Sequence, residues 1–404
     1  MDAMKRYDAI IIGGGMVGMS MAIALARLDL RVALLERTSL PAQLEATFDG
    51  RVSAIALGSA RLLSAIGAWD AMRAHAEPIL DIRASDGDAP FYVHYDHKEV
   101  GDEPLGYIVE NRHIRYALQQ AAAIYPNLTF MEKTHITAFE SDGMQAMVML
   151  HDGSKLAAPL VMAADGKQST LRELAGIATT TRDYHQTAIV CTIAHEKPHH
   201  GLAQERFLHA GPFAVLPMTG QRSSLVWVEP DERVQLYMDL PQAECEQEIT
   251  ERVGDYLGKI VLAGKRFAYP LSATHAKTYI GTRLALIGDA AHGIHPIAGQ
   301  GVNLGFRDVA VLEELIRKQA GLGLDIGAES LLAHYQRWRR FDNVSMLAVT
   351  DGLNQLFNTQ LLPIRTARGL GMWAVQRMPV LKRFLMQHAM GLVGDLPETF
   401  KKVS

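Results

Sequence analysis

An apolar run, Ala9-Ile10-Ile11-Ile12, ends at Gly13-Gly14-Gly15-Met16-Val17-Gly18, and this junction narrows the possible folds more than any other segment. Residues Tyr7 to Ile12 read as a strand covered on both faces, because such strands show continuous apolar runs rather than alternation. The glycines fit G-x-G-x-x-G. Gly13 permits a tight turn, Gly15 lets backbone approach a pyrophosphate, and Gly18 allows close helix–strand packing. Met16 to Leu28, rich in Ala, Met and Leu, reads as the following helix, and Arg31 to Leu35 as a second buried strand closed by Glu36. Together they span about 30 residues, the size of a βαβ unit. The helix start offers free N–H groups to phosphates. A carboxylate at Glu36 can accept both ribose hydroxyls of an adenosine and would repel a 2′-phosphate. Dinucleotide binding follows, without a choice between FAD and NAD.

A second site makes that choice. The apolar run Arg283 to Ile287 stops at Gly288-Asp289, and His295-Pro296-Ile297-Ala298-Gly299-Gln300-Gly301-Val302-Asn303-Leu304-Gly305 then opens a long helix. A carboxylate at a strand end suits the ribityl hydroxyls of a flavin. A glycine-rich helix start can aim N–H groups at the ring carbonyl that gains charge on reduction. Asp289 alone could equally cap a turn. The third segment, Ala163-Ala164-Asp165-Gly166-Lys167-Gln168-Ser169-Thr170-Leu171-Arg172, also follows a strand. There Ser169 can cap a helix and Arg172 can hold the Asp165 carboxylate, a supporting role at the edge of the cofactor site.

The three motifs in this order resemble the class A flavoprotein monooxygenases, the para-hydroxybenzoate hydroxylase fold. The stretch from His295 to Gly305, with Asp49-Gly50-Arg51-Val52-Ser53-Ala54-Ile55 and Glu110-Asn111-Arg112, is similar to the branch that hydroxylates ubiquinone precursors, the UbiH/UbiF/Coq6 family. The resemblance covers nearly the whole chain. It implies that Arg51 and Asn111 contact FAD beside Gly13, Gly15, Gly18, Glu36 and Asp289, and that Pro296, Gly299, Gln300 and Gly301 wall the flavin face. Taken alone, Arg51 would be a surface ion-pair partner and Asn111 a helix N-cap. The resemblance further implies that reduced FAD adds dioxygen at C(4a) and that the hydroperoxide hydroxylates the ring of a polyprenyl phenol. No acid–base pair stands out, so no catalytic side chain is assigned. There is no second G-x-G-x-x-G, so electrons come from transiently bound NAD(P)H or from a reductase. A reductase or oxidase on the same fold, or a flavin-binding assembly subunit without turnover, are the alternative readings.

The order of elements predicts an α/β fold: a discontinuous Rossmann-like FAD-binding domain (1–75, 105–180, 275–320), interrupted by an antiparallel β-sheet substrate domain (76–104, 181–274), with a C-terminal helical region (321–404). Ala54 onward suits a helix to Trp69, and Asp81 to Val100 a hairpin with a D-G turn. The formal net charge of −4 argues against a general nucleic-acid binder. Two cysteines cannot build a disulfide framework. His292 and His295 lack ligand partners nearby, so no metal is expected. No apolar run reaches the length of a membrane span, nor is there a signal-peptide stretch at the start, which points to the cytoplasm. Residues 360–404 carry seven basic residues against two acidic ones. There Leu361, Leu362, Ile364, Leu370, Met372, Trp373 and Phe384 interleave with Arg365, Arg368, Arg377, Lys382 and Arg383. Apolar anchors with flanking cations suit a helix lying on a membrane surface; packing in the core is the other reading. The expected partners are a polyprenyl phenol, dioxygen, the cytoplasmic membrane face and other ubiquinone-biosynthesis proteins.

Overall fold

The buried run that precedes the glycines is the centre of a six-stranded sheet in a computed structural model that describes residues 4–39, 50–87, 92–293, 299–358 and 362–401. Ala9–Ile12 pairs in parallel with Val32–Leu35 on one side and with Leu160–Ala163 on the other. Leu128–Met131 and Leu284–Leu286 extend the two sides in parallel, and Ile280–Gly281 adds an antiparallel edge. All residues of the three central strands are buried. The chain leaves Ala9–Ile12 first in one direction and later in the other, which creates a crevice at the carboxyl ends of the strands. Met16–Ala26 is apolar around nearly its whole circumference, as a helix enclosed on all sides must be; it packs on Asn111–Ala122 and Gly301–Gly321.

Two glycines permit this packing. Gly13 has φ +106°, and a Cβ there would stand 2.4 Å from the Ala164 carbonyl oxygen. A Cβ on Gly18 would stand 1.9 Å from the Gly13 carbonyl oxygen.

The second large sheet is antiparallel except at one place. Thr179–His195 pairs with Arg222–Pro230 and Phe267–Ala276, and Gly211–Met218 continues to Leu202–Leu208. Asp81–Asp86 joins in parallel with Leu202–Leu208, and Tyr92–Asp96 closes the edge. One face is covered by Asp231–Asp239 and Gln242–Val253, whose Val234, Tyr237, Cys245 and Ile249 pack on Phe213, Val215, Leu225 and Trp227. Sequence reading missed these two helices because their apolar residues are sparse between charged ones. It also extended a helix over Ala54 to Ala56. Those residues instead end the strand Val52–Ala56, which pairs with Gly106–Glu110, and the helix begins at Leu57.

A fully buried carboxylate ties the turn at Gly288 to the helices Gly301–Gly321 and Glu329–Asn358. Asp308, on Gly301–Gly321, accepts from Arg339 Nε at 2.7 Å and from the Gly288 N–H at 2.9 Å. His292 Nε2 lies 2.5 Å from Oδ2, the oxygen that also accepts from Gly288, while Arg339 binds Oδ1. Burial raises its pKa, but His292 and Arg339 outweigh this and hold the carboxyl below its usual range. Asp308→Asn leaves Arg339 buried without full counter-charge. It is expected to cost about 3–5 kcal/mol in denaturant melts; a loss below about 1 kcal/mol would show that the charges are not coupled.

Candidate functional site

A cavity of about 1250 Å³ opens at the carboxyl ends of the parallel strands and runs along the uncovered face of the antiparallel sheet. Two helices begin on it. Met16–Ala26 starts after Gly15, and Gly301–Gly321 after Gln300; neither start has a side-chain cap. Uncapped N–H groups and the positive end of the helix dipole therefore meet the same cavity twice, an arrangement suited to a ligand with anionic or carbonyl groups at separate points. At Gly15 a Cβ would find no atom within 4 Å, so the backbone there is open to a bound group.

The predicted residues converge. Gly15, Arg51, Asn111, Asp289, Gly299, Gln300 and Gly301 all line the cavity, while Gly13 and Gly18 shape the turn behind it. Pro296, with His295, lies outside the described residues. Glu36 Oε2 accepts from the Gly14 N–H at 2.7 Å, and its Oε1 accepts from the Thr38 N–H at 2.9 Å. These bonds fix the carboxylate against the glycine turn. Asn111 is not the cap of its helix, a place taken by Glu110; its Oδ1 accepts from Ser53 Oγ at 2.7 Å. The Arg51 guanidinium stands 5.3 Å from the Tyr269 ring centre, on the cavity.

Asp289 makes no capping bond, and it has no hydrogen-bond partner among the described residues. Its carboxylate is exposed on the cavity, and desolvation by the surrounding protein pushes its pKa up against the opposing charges of Lys167 and His292. A carboxylate on the cavity with both oxygens open to accept fits the hydroxyls of a ribityl chain.

In the third motif Ser169 caps as expected, accepting from the Arg172 N–H at 3.1 Å. Arg172 does not hold Asp165. Its guanidinium donates to the carbonyls of Lys167 at 2.7 Å and Ala290 at 2.9 Å, joining the third motif to the Asp289 turn. Two carbonyls in fixed positions satisfy the planar fork better than one side chain. Asn303, unassigned in the sequence, donates to the Ala54 carbonyl at 2.8 Å and accepts from the Ala56 N–H at 2.9 Å. It pins the glycine-rich helix start to the strand after Arg51.

The C-terminal helices Leu362–Arg377 and Pro379–Ala389 close the far side of the cavity with Met372, Val375, Leu385 and Met386. Two cations expected at a membrane surface are placed elsewhere. Lys382 is buried against Glu99 at 2.5 Å, and Arg368 is buried against Asp86 at 2.6 Å. Each compensates an acid that the fold encloses. Arg377 and Arg383 are exposed. Leu361 and the side chains of Leu362, Ile364 and Arg365 lie outside the described residues. Among the described residues, the His, Asp and Glu groups close enough for a metal are Asp183, His185 and Asp231, all exposed and away from the cavity.

A family profile described as "FAD binding domain" matches residues 6–345. The chain is 47% identical over 394 residues to ubiquinone hydroxylase UbiL of Rhodospirillum rubrum, covering 98% of this chain and 92% of that protein. It is 34% identical to 3-demethoxyubiquinol 3-hydroxylase of Escherichia coli, covering 95% of this chain and 98% of that one. The p-nitrophenol 4-monooxygenase PnpA of Pseudomonas putida shares the fold, with a TM-score of 0.78 at 19% identity over 96% of this chain and 99% of its own. Fold and site thus define a class A FAD-dependent monooxygenase, an oxidoreductase with FAD as its cofactor. Within that class the chain belongs to the family of ubiquinone-biosynthesis hydroxylases.

Asp289→Ala removes charge-assisted acceptors worth about 1.5–3 kcal/mol. FAD affinity is expected to fall by roughly 10- to 150-fold, with the apoprotein melting temperature unchanged because no cap is lost. Equal FAD affinity in a titration of both proteins would remove Asp289 from the cofactor site.

Proposed function

We propose that the protein hydroxylates the aromatic ring of a polyprenyl phenol in ubiquinone biosynthesis while resting on a membrane surface. The observation that carries the substrate class is the continuity of the cavity. It begins at the two helix starts and extends without a break along Ala188, Val190, Val226 and Val228 of the sheet to Met372 and Met386 of the C-terminal helices. An aromatic head group at one end and an apolar tail at the other fit such a channel. The relatives named as ubiquinone hydroxylases support the same reading.

In this reading the turn from Gly13 to Gly18 and Glu36 hold the adenosine and pyrophosphate end of FAD. Asp289 holds the ribityl chain, Gly299, Gln300 and Gly301 present N–H groups to the ring, and Arg51, Asn111 and Pro296 complete the contacts. Bound FAD, once reduced, supplies the activation of dioxygen. The chain's own part is to exclude water with an apolar wall, orient the phenol, and keep both ligands in one enclosed space. Residues 1–75, 105–180 and 275–320 act as the cofactor domain, and 76–104 with 181–274 as the substrate domain.

The membrane reading draws on the two faces of the C-terminal helices. While Met372 and Met386 face inward, Leu370, Trp373, Val380 and Phe384 are exposed, Val380 at 82%, beside Arg377 and Arg383. Aromatic and aliphatic anchors next to cations favour an interfacial position. Among the described residues no helix is long and apolar enough to cross a membrane.

FAD-loaded protein given a prenylated phenol and a reductant is expected to consume one dioxygen per product one oxygen atom heavier, read by an oxygen electrode with mass spectrometry. A reduced product formed without dioxygen uptake would replace the hydroxylase with a reductase. In liposome flotation, reversing Arg377 and Arg383 to Glu is expected to weaken binding to anionic vesicles by about 1 kcal/mol or more per site. Lys382→Glu should instead lower the melting temperature, since it buries a second carboxylate against Glu99; a stable Lys382→Glu that only loses flotation would put Lys382 on the membrane face.

A further inference from the structure

Among the described residues, the apolar wall of the substrate chamber holds one acid, Glu205. Leu202–Leu208 is an interior strand, bonded to Gly211–Met218 on one side and Asp81–Asp86 on the other. Side chains alternate between the faces of a strand, and Ala203, Glu205 and Phe207 lie on the face that lines the cavity. Across the sheet Glu205 stands between Ala84 and Ala214, and the next positions in the same row are Val93 and Val226. Two flanking methyl groups leave room around the carboxyl and offer it nothing to bond. Glu205 has no hydrogen-bond or ion-pair partner among the described residues. Burial alone pushes its pKa up to about 7.

Among the described residues, Arg368 and Asp351 on neighbouring elements are engaged elsewhere. Arg368 is paired with Asp86 at 2.6 Å and also donates to the Leu356 and Phe357 carbonyls. Asp351, on the helix that packs near this strand, is bound by Arg182 and Tyr184. Tyr95 also faces the chamber near this row, its pKa raised by burial. An enclosed carboxyl that stabilises no neighbour costs the fold free energy. Such a group in a cleft marks a functional position.

We propose that Glu205 accepts the hydrogen bond of the ring hydroxyl on the phenolic substrate, and so selects rings bearing a free hydroxyl over etherified ones. The inference rests on the substrate class proposed above. A site built with one buried acceptor rejects a ligand that lacks the matching donor, because the acceptor is then left desolvated and unpaired. The same bond directs electron density from the hydroxyl into the ring, which favours attack by an electrophilic oxygen.

The test titrates FAD-loaded wild type, Glu205→Gln and Glu205→Leu with 2-geranylphenol and with its methyl ether, following the flavin absorbance. Near pH 8 the wild type is expected to bind the phenol at least about tenfold more tightly than the ether. That preference should shrink towards pH 6, where the acceptor is protonated, and vanish in Glu205→Leu. In Glu205→Gln it should be smaller than in wild type and independent of pH. A wild-type preference that survives in Glu205→Leu would overturn the assignment. If that variant does not retain FAD, a Glu205→Gln protein that keeps the wild-type pH dependence would do the same. Wild-type protein that binds neither probe would instead overturn the substrate class, and the role of Glu205 with it.

Discussion

One buried negative charge organises the cofactor end of this molecule. Asp308 binds the Gly288 N–H, the Arg339 guanidinium and the His292 ring at once, so the turn bearing Asp289, the helix from Gly301 and the helix from Glu329 share a single anchor. Arg339 extends the network to Asp342 and Asn343, and the Tyr335 hydroxyl donates to the Leu286 carbonyl beside it. Each group in such a network is desolvated, and any one of them without its partners would be costly. The positions of Asp289 and of the glycine-rich helix start follow from this anchor. Arg172, bonded to the carbonyls of Lys167 and Ala290, ties the third motif to the same place.

Around that rigid corner the chamber is divided by chemistry. Polar and dipolar groups gather where the strands of the parallel sheet end, and the antiparallel sheet with the C-terminal helices supplies a nearly continuous apolar wall. The division follows from how each part is built. A parallel sheet leaves helix starts and loop carbonyls at one end, whereas an antiparallel sheet shows one whole face of alternate side chains. Reactive oxygen chemistry needs both, a polar grip on the cofactor and a dry space beside it.

The cofactor half was legible in the sequence because its features are local. Gly13 to Gly18, Glu36, Gly288-Asp289 and Gly299 to Gly301 each declare themselves through residue types that a tight turn or close backbone approach demands. Arg51 and Asn111 came only through the family resemblance, since a lone arginine or asparagine has many ordinary uses. The substrate half was far less legible. Glu205 lies in Gln204-Glu205-Arg206, where only the pairing with Gly211–Met218 and Asp81–Asp86 shows which face is inward. Lys382 and Arg368 misled for the same reason: their partners Glu99 and Asp86 are nearly three hundred residues away in the chain. Charge runs do not reveal such long-range compensation.

The single parallel pairing in the larger sheet, Asp81–Asp86 against Leu202–Leu208, has a consequence for how the molecule comes into being. Contacts between distant segments form slowly, because the loop between them must close first. The chamber wall cannot be completed until a ribosome has delivered both segments, and the helix from Gly301 that faces the cofactor emerges later still. The glycine turn at residues 13–18 is therefore among the first pieces synthesised and among the last to be used. A nascent chain carries the first of the two helix starts through most of its translation, and the second joins it on the cavity only late.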